Sequence, residues 1–130
     1  MCRRAFCGGS RDSGVAAVEF AMVLPIVLLC VIGLIEFARA IWTQATLDYA
    51  VEAAARCAAV DTNTCGTDVN IQNYAAAKAA GLSFANPAST FGVTRPSCGV
   101  QVTATLPFAF LVPALLPYSP TLSAFACFPV

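Results

Sequence analysis

Two groups of residues have the types and spacing to support chemistry. In the first, Gly14-Val15 precedes Glu19-Phe20 within the run GVAAVEF. Hydrolysis after Gly14 would leave an α-amino cation on Val15, with Glu19 as the fifth residue of the shortened chain and able to pair with it. The second group is Cys57, Cys65, Cys98 and Cys127. In an oxidising compartment an even set of cysteines forms disulfides, and four of them allow three connectivities. The alternative reading makes them small buried hydrophobes.

Enzymatic chemistry is not expected. The chain has no histidine, which removes the usual nucleophile–base triads. It has no CxxC, so a zinc site is not expected. A phosphate-cradling glycine loop is also missing. Asp48, Glu52, Asp61 and Asp68 fall on a helix face or in a polar loop and read as solvated charge. Neither a metal nor a cofactor is implied. Lysine and arginine balance aspartate and glutamate at seven each, which gives no electrostatic case for nucleic acid as a partner.

The element that positions Glu19 is apolar. Phe20 to Ile35 runs without a charge, and Val15 to Ile35 supplies the roughly 20 residues that a helix needs to cross a bilayer. A hydrophobic fraction of 58% and a charged fraction of 11% fit a membrane protein better than a soluble one. An acid at the start of such a span costs a few kcal/mol unless compensated. The Val15 amine would compensate it, within one chain or between neighbours in a helical assembly. Arg3, Arg4 and Arg11 precede the span, whereas Arg39 is the basic residue that follows it closely. The positive-inside rule therefore keeps the N-terminus in the cytoplasm and exports everything beyond Glu36. Cys2 and Cys7 then lie on the cytoplasmic leader, Cys30 lies in the span, and the other four cysteines lie on the exported side.

Gly14, Glu19-Phe20, the Leu24-Pro25 step, Gly33 and Ile35-Glu36-Phe37 followed by Arg39 resemble, in combination, the N-terminal region of the TadE-like proteins of tight-adherence (Flp-type) pilus systems. The Gly14–Glu19 spacing also resembles the processing site of type IV prepilins and pseudopilins. The resemblance covers about the first half of the chain. It implies a pseudopilin or minor pilin cut between Gly14 and Val15 by a prepilin peptidase, with Glu19 and Phe20 serving recognition and assembly. It also implies an inner-membrane location, with the C-terminal domain in the periplasm and the protein associated with a pilus. The implied partners are the prepilin peptidase, other pilus-assembly pseudopilins, inner-membrane platform proteins and membrane lipid, with homo- or hetero-oligomers formed through the N-terminal helix.

The rest of the chain follows in order. Residues 1–14 read as a basic, disordered leader, 15–36 as the transmembrane helix, 37–60 as its amphipathic extension, and 61–130 as a small exported domain. Pro25 should kink the span. A continuous helix from Val15 to about Val60 would be roughly 70 Å long. On its outer half Gln44, Asp48, Glu52 and Arg56 form a polar stripe, with Glu52 and Arg56 spaced for an ion pair. Leu47, Val51, Ala54 and Ala58 form the apolar stripe that should carry the domain. Glu36 and Arg39 form a membrane-end pair in the simplest reading; otherwise Glu36 meets a basic group on a neighbouring subunit. Trp42 sits either at the outer headgroup level or against the domain.

Residues 61–68 form a loop, and Val69 to Ala80 a short helix that Gly81 can close. Asn86-Pro87 marks a turn. Phe91 to Thr94 reads as a short strand, and Gly99 to Leu106 alternates, with Val100, Val102 and Ala104 on one face. Thr121 to Phe128 is its antiparallel partner. That pairing brings Cys98 beside Cys127 and leaves Cys57 for Cys65. Between the strands, residues 106–118 are apolar and broken by prolines, a lid for the core or a surface for a partner, lipid or filament, with core the commoner role. The expected fold is α+β, a long N-terminal transmembrane helix extending into a small periplasmic domain with a C-terminal antiparallel strand pair.

Two other readings compete. Ala38-Arg39-Ala40 resembles a signal-peptidase box, and a cut after Ala40 would release a soluble, Sec-secreted, disulfide-bonded domain. Alternatively, the chain is an uncleaved single-pass anchor that presents a binding domain.

Overall fold

A computed structural model describes residues 12–111 and 118–130. Readings that fall on residues 1–11, including Cys2, Cys7, Arg3, Arg4 and Arg11, and on 112–117 of the apolar connection lie outside the described residues.

The first element, α1, is a helix over Asp12–Val60 with Pro25 inside it. It begins before Gly14, so part of the segment read as leader is helical. The chain divides into two compact units, one ending at Ile35 and the other comprising Glu36–Val130. In the first, large apolar side chains from Val15 to Ile35 are exposed, as they must be if lipid is their solvent.

In the second unit α1 turns one face inward. Glu36, Thr43, Leu47, Ala50, Val51, Ala54 and Ala55 are buried, at the three- and four-residue spacing of a single helical stripe. Ala58 is partly buried beside them. The residues after Glu36 thus belong to the compact domain itself.

Helix α2, Asp68–Lys78, is capped by Thr67, whose side chain accepts from the Asn70 N–H, and has Asp68 in its first turn and Lys78 in its last. It buries Ile71 and Ala75. It ends at Lys78, and the Ala79 N–H bonds the Ala75 carbonyl. The helix thus ends before the expected Ala80, with Ala79 and not Gly81 at its cap, and Gly81 follows in the connection at φ +82°, where a side chain would be strained. The Asn86-Pro87 turn extends into a single helical turn, α3 (Pro87–Thr90), with Asn86 as N-cap and Pro87 at the position where a missing N–H is harmless.

Strands β1 (Phe91–Thr94), β2 (Val100–Pro107) and β3 (Thr121–Phe128) form an antiparallel sheet in the order β1-β2-β3. The expected strand pair is therefore the larger part of a three-stranded sheet. Val100 pairs with Phe128 and Gln101 with Cys127, while Phe91 pairs with Ala104. Val100, Val102 and Ala104 are buried on the inner face of β2, which joins Phe91, Ala124, Ile71, Leu47 and Val51 in the core. Gly99 enters β2 at φ +123°, and a Cβ there would collide with the Phe128 carbonyl. Glycine lets β3 end close against the turn.

Candidate functional site

Gly14 and Val15 lie within the first turns of α1 and are exposed, and nothing approaches the position of a Gly14 Cβ within 4 Å. Glycine lowers helix stability by about 1 kcal/mol relative to alanine, so the first turn unwinds there at small cost. Glu19 and Phe20 are exposed one turn further on. Among the described residues Glu19 has no ion-pair partner. Residues four apart share a helix face, so the side chains of Val15 and Glu19 lie on one face of α1.

Glu36 occupies a different environment. It is 8% exposed, and both carboxylate oxygens are engaged. Arg39 Nη1 donates to Oε2 at 2.9 Å, and the backbone N–H of Leu111 donates to Oε1 at 2.8 Å. The Arg39 guanidinium also lies over the Phe108 ring, 5.4 Å from its centroid, in a cation–π contact. Phe108 is buried, meets Phe110 edge to face at 5.3 Å, and donates its N–H to the Pro120 carbonyl at 2.9 Å. The Glu36–Arg39 pair thus fastens the start of the apolar connection to α1.

The Leu111 bond was not legible in the sequence, although a signal exists. Glu36, Ala40, Thr43 and Leu47 carry the buried stripe of α1 back to an acid, and an acid on a packed face needs donors. Of the apolar connection, Leu106 packs against the core and Phe108 is buried, while Ala109 and Leu111 are exposed. Trp42 is 67% exposed and does not pack on the domain.

The cysteines fall in two pairs. Cys57–Cys65 closes the loop after α1, with Cα atoms 5.8 Å apart, and Cys98–Cys127 joins the start of β2 to the end of β3 across 6.4 Å. Cys30 is free and exposed in α1. Asp61 organises the first loop: it accepts from the N–H groups of Asn63 and Thr64 and from the Thr64 hydroxyl. The Thr64 hydroxyl is the chief cause, with the two amides, that lowers the Asp61 pKa below the ordinary 3.8. Asp61 is therefore a structural acceptor within its loop. Arg95 reaches Asp68 at the start of α2 at 2.7 Å, and the hydrogen bond and charge of Asp68 raise the Arg95 pKa.

The polar stripe of α1 is only partly solvated. Gln44 bonds the Asp48 carboxylate and also donates to the Ser123 carbonyl of β3 at 3.0 Å. Glu52 and Arg56 form no ion pair among the described residues; exposed pairs at this spacing contribute only tenths of a kcal/mol and need not close.

Residues 14–56 match the family model described as TadE-like protein. The match covers about a third of the chain. No curated protein and no solved structure matches the chain. The TadE-like segment opens on Gly14, contains Glu19, the whole apolar run, Glu36 and Arg39, and closes at Arg56, one residue before the first disulfide. The family is that of Tad pilus components and is not known as one of enzymes. Among the described residues one helix is long and apolar enough to cross a membrane. Helix and family together point to a single-pass membrane protein.

Proposed function

We propose that this chain is a pseudopilin or minor pilin needed to assemble an adhesive Flp-type pilus. A prepilin peptidase cuts it between Gly14 and Val15. The span holds it in the bacterial inner membrane, with the leader in the cytoplasm and the disulfide-bonded domain in the periplasm, where its cysteines are oxidised. Its partners are other pseudopilins and the platform proteins of the assembly machine. The observation that carries this reading is the position of the TadE-like match, which begins on Gly14 and takes in Glu19 and the exposed apolar run.

Release by signal peptidase after Ala40 is the weaker reading for a structural reason. Such a cut would remove Glu36 and Arg39, the side chains that hold Leu111 and cover Phe108. The secreted product would keep the α1 core residues from Leu47 onward but leave the apolar connection without its fastening.

N-terminal sequencing and intact mass of the protein from native membranes, with and without an active prepilin peptidase, test the proposal. The expected start is Val15, dependent on the peptidase. A start at Ile41 identifies a secreted domain, and an intact Met1 in the presence of active peptidase identifies a plain anchor; either refutes processing as a pseudopilin.

A further inference from the structure

We propose that the start of the apolar connection, Phe108–Leu111, is a second membrane contact, seated in the headgroup and upper acyl region of the leaflet from which the span emerges. The inference rests on the reading of α1 as a membrane span.

Chain position sets the depth of this segment. Glu36 is the residue that closes the apolar run, and the Leu111 N–H is hydrogen-bonded to its carboxylate at 2.8 Å. Leu111 therefore lies within one hydrogen bond of Glu36, the first polar residue after the apolar run in the chain. Phe37, Ile41 and Trp42 follow on α1 within about 9 Å of axial rise, and all are exposed, as is Leu111 at 63%. Large apolar side chains directly after the span in the chain, and Leu111 bonded to Glu36, are thus uncovered by the described chain. An indole directly after a span suits the amphipathic headgroup region.

Two of the four amides of the segment have protein partners. Irregular chain at membrane depth is tolerated only where its polar groups have partners. The Leu111 amide has Glu36, the Phe108 amide has the Pro120 carbonyl, and Pro107 and Pro120 have no N–H to satisfy. Arg39 stacks on Phe108 while its side chain remains 42% exposed, which leaves donors free for a lipid phosphate above the acyl region. An apolar surface rimmed by one exposed guanidinium at the end of a span fits phospholipid.

The test uses the full chain in nanodiscs of phosphatidylethanolamine and phosphatidylglycerol. Trp42 is the only tryptophan, so Trp42→Phe gives a silent background. Single reporters are then introduced as Leu111→Trp, Ala109→Trp, Leu28→Trp in the span and Val69→Trp on α2, all at exposed positions. Quenching by lipids brominated in the upper acyl chain is compared with quenching by aqueous iodide. The expected result is bromolipid quenching at Leu111→Trp several-fold above that at Val69→Trp, together with protection from iodide; if Leu111→Trp fails to fold, Ala109→Trp serves as the reporter. A Leu111→Trp that behaves like Val69→Trp, while Leu28→Trp is quenched, overturns the inference and leaves the span standing. Shielding from both quenchers means that protein covers the segment, which also overturns it. An unquenched Leu28→Trp removes the span and this proposal with it.

Discussion

Glu36→Ala isolates the contact that ties the apolar connection to α1. The substitution deletes the acceptor of the Leu111 N–H and of Arg39 Nη1. Hydrogen bonds to charged groups contribute about 1.5–3 kcal/mol each. The Arg39 side chain is 42% exposed, so its share falls to about 1 kcal/mol or less, because solvated pairs are screened. The Leu111 bond, made to a carboxylate that is nearly buried, keeps about 2 kcal/mol. Local opening at Leu111 should therefore become about thirtyfold easier, since each 1.4 kcal/mol is tenfold. Glu36→Gln retains a carbonyl acceptor and loses only the charge, so its effect should be nearer fivefold, from about 1 kcal/mol. The assay is amide hydrogen exchange on the full chain in nanodiscs, read at Leu111, with the α2 amides of Ile71 and Ala75 as internal reference. The reasoning is refuted if Leu111 exchanges at the same rate in Glu36→Ala and the native chain while the reference amides are also unchanged. Equal acceleration of the reference amides would mean that the whole domain loosens, and that the bond holds more than its segment.

Two further outcomes can be worked from the structure. Loop-closure entropy over sequence separations of 8 and 29 residues assigns about 2.5 kcal/mol to Cys57–Cys65 and about 3.5 kcal/mol to Cys98–Cys127, so paired alanine substitution at Cys98 and Cys127 should lower the urea midpoint further than at Cys57 and Cys65; the opposite order would show that native-state packing outweighs loop closure. Asp61, lowered chiefly by the Thr64 hydroxyl, contributes order to its loop that is complete above the unfolded carboxylate value and is lost as pH falls through the lower folded one. NMR titration of the Asn63 and Thr64 amides should accordingly give a midpoint below 3.8 that rises in Thr64→Ala, and a midpoint that ignores Thr64→Ala would assign the shift to another group.

What was legible in the sequence was what repeats locally. The apolar run of α1, the alternation of Val100, Val102 and Ala104, and the stripe Leu47, Val51, Ala54 each bear a period of their own, and each takes the structure its period implies. The antiparallel pairing of β2 with β3 then follows from strand length and spacing, and it draws Cys98 to Cys127. What stayed hidden depends on contacts remote in sequence or on elements too short to show a period. α3 is a single turn of four residues, and although Phe91 to Thr94 reads as a strand, its place at the edge of the sheet is fixed only by its register with β2. The Leu111–Glu36 bond spans 75 residues, and Gln44 reaches Ser123 across 79. Neither is signalled by residue type alone, because a glutamine on a polar stripe and an acid at the end of a span both have adequate solvated explanations. The Glu52–Arg56 spacing erred in the other direction, offering a local pair too weak to be realised.

The extent of the family match has a physical counterpart in how α1 is built. Residues 14–56 contain a span and the packed stripe from Glu36 to Ala55, and both are requirements on a single helix: apolar length for the first, inward spacing for the second. The packed stripe is mostly small, with Ala50, Ala54 and Ala55 among its buried members, so it presents a smooth groove more than a set of specific knobs. Such a surface accepts many sheets of the right curvature. The sheet must satisfy register, a close turn at Gly99 and a disulfide between its strands, which are conditions on residues far apart in the chain. The matched helix and the rest of the domain therefore answer to different conditions: the helix to length and spacing along one element, the sheet to register, turn and disulfide between elements, with the inner face that packs on the alanines as the link between them.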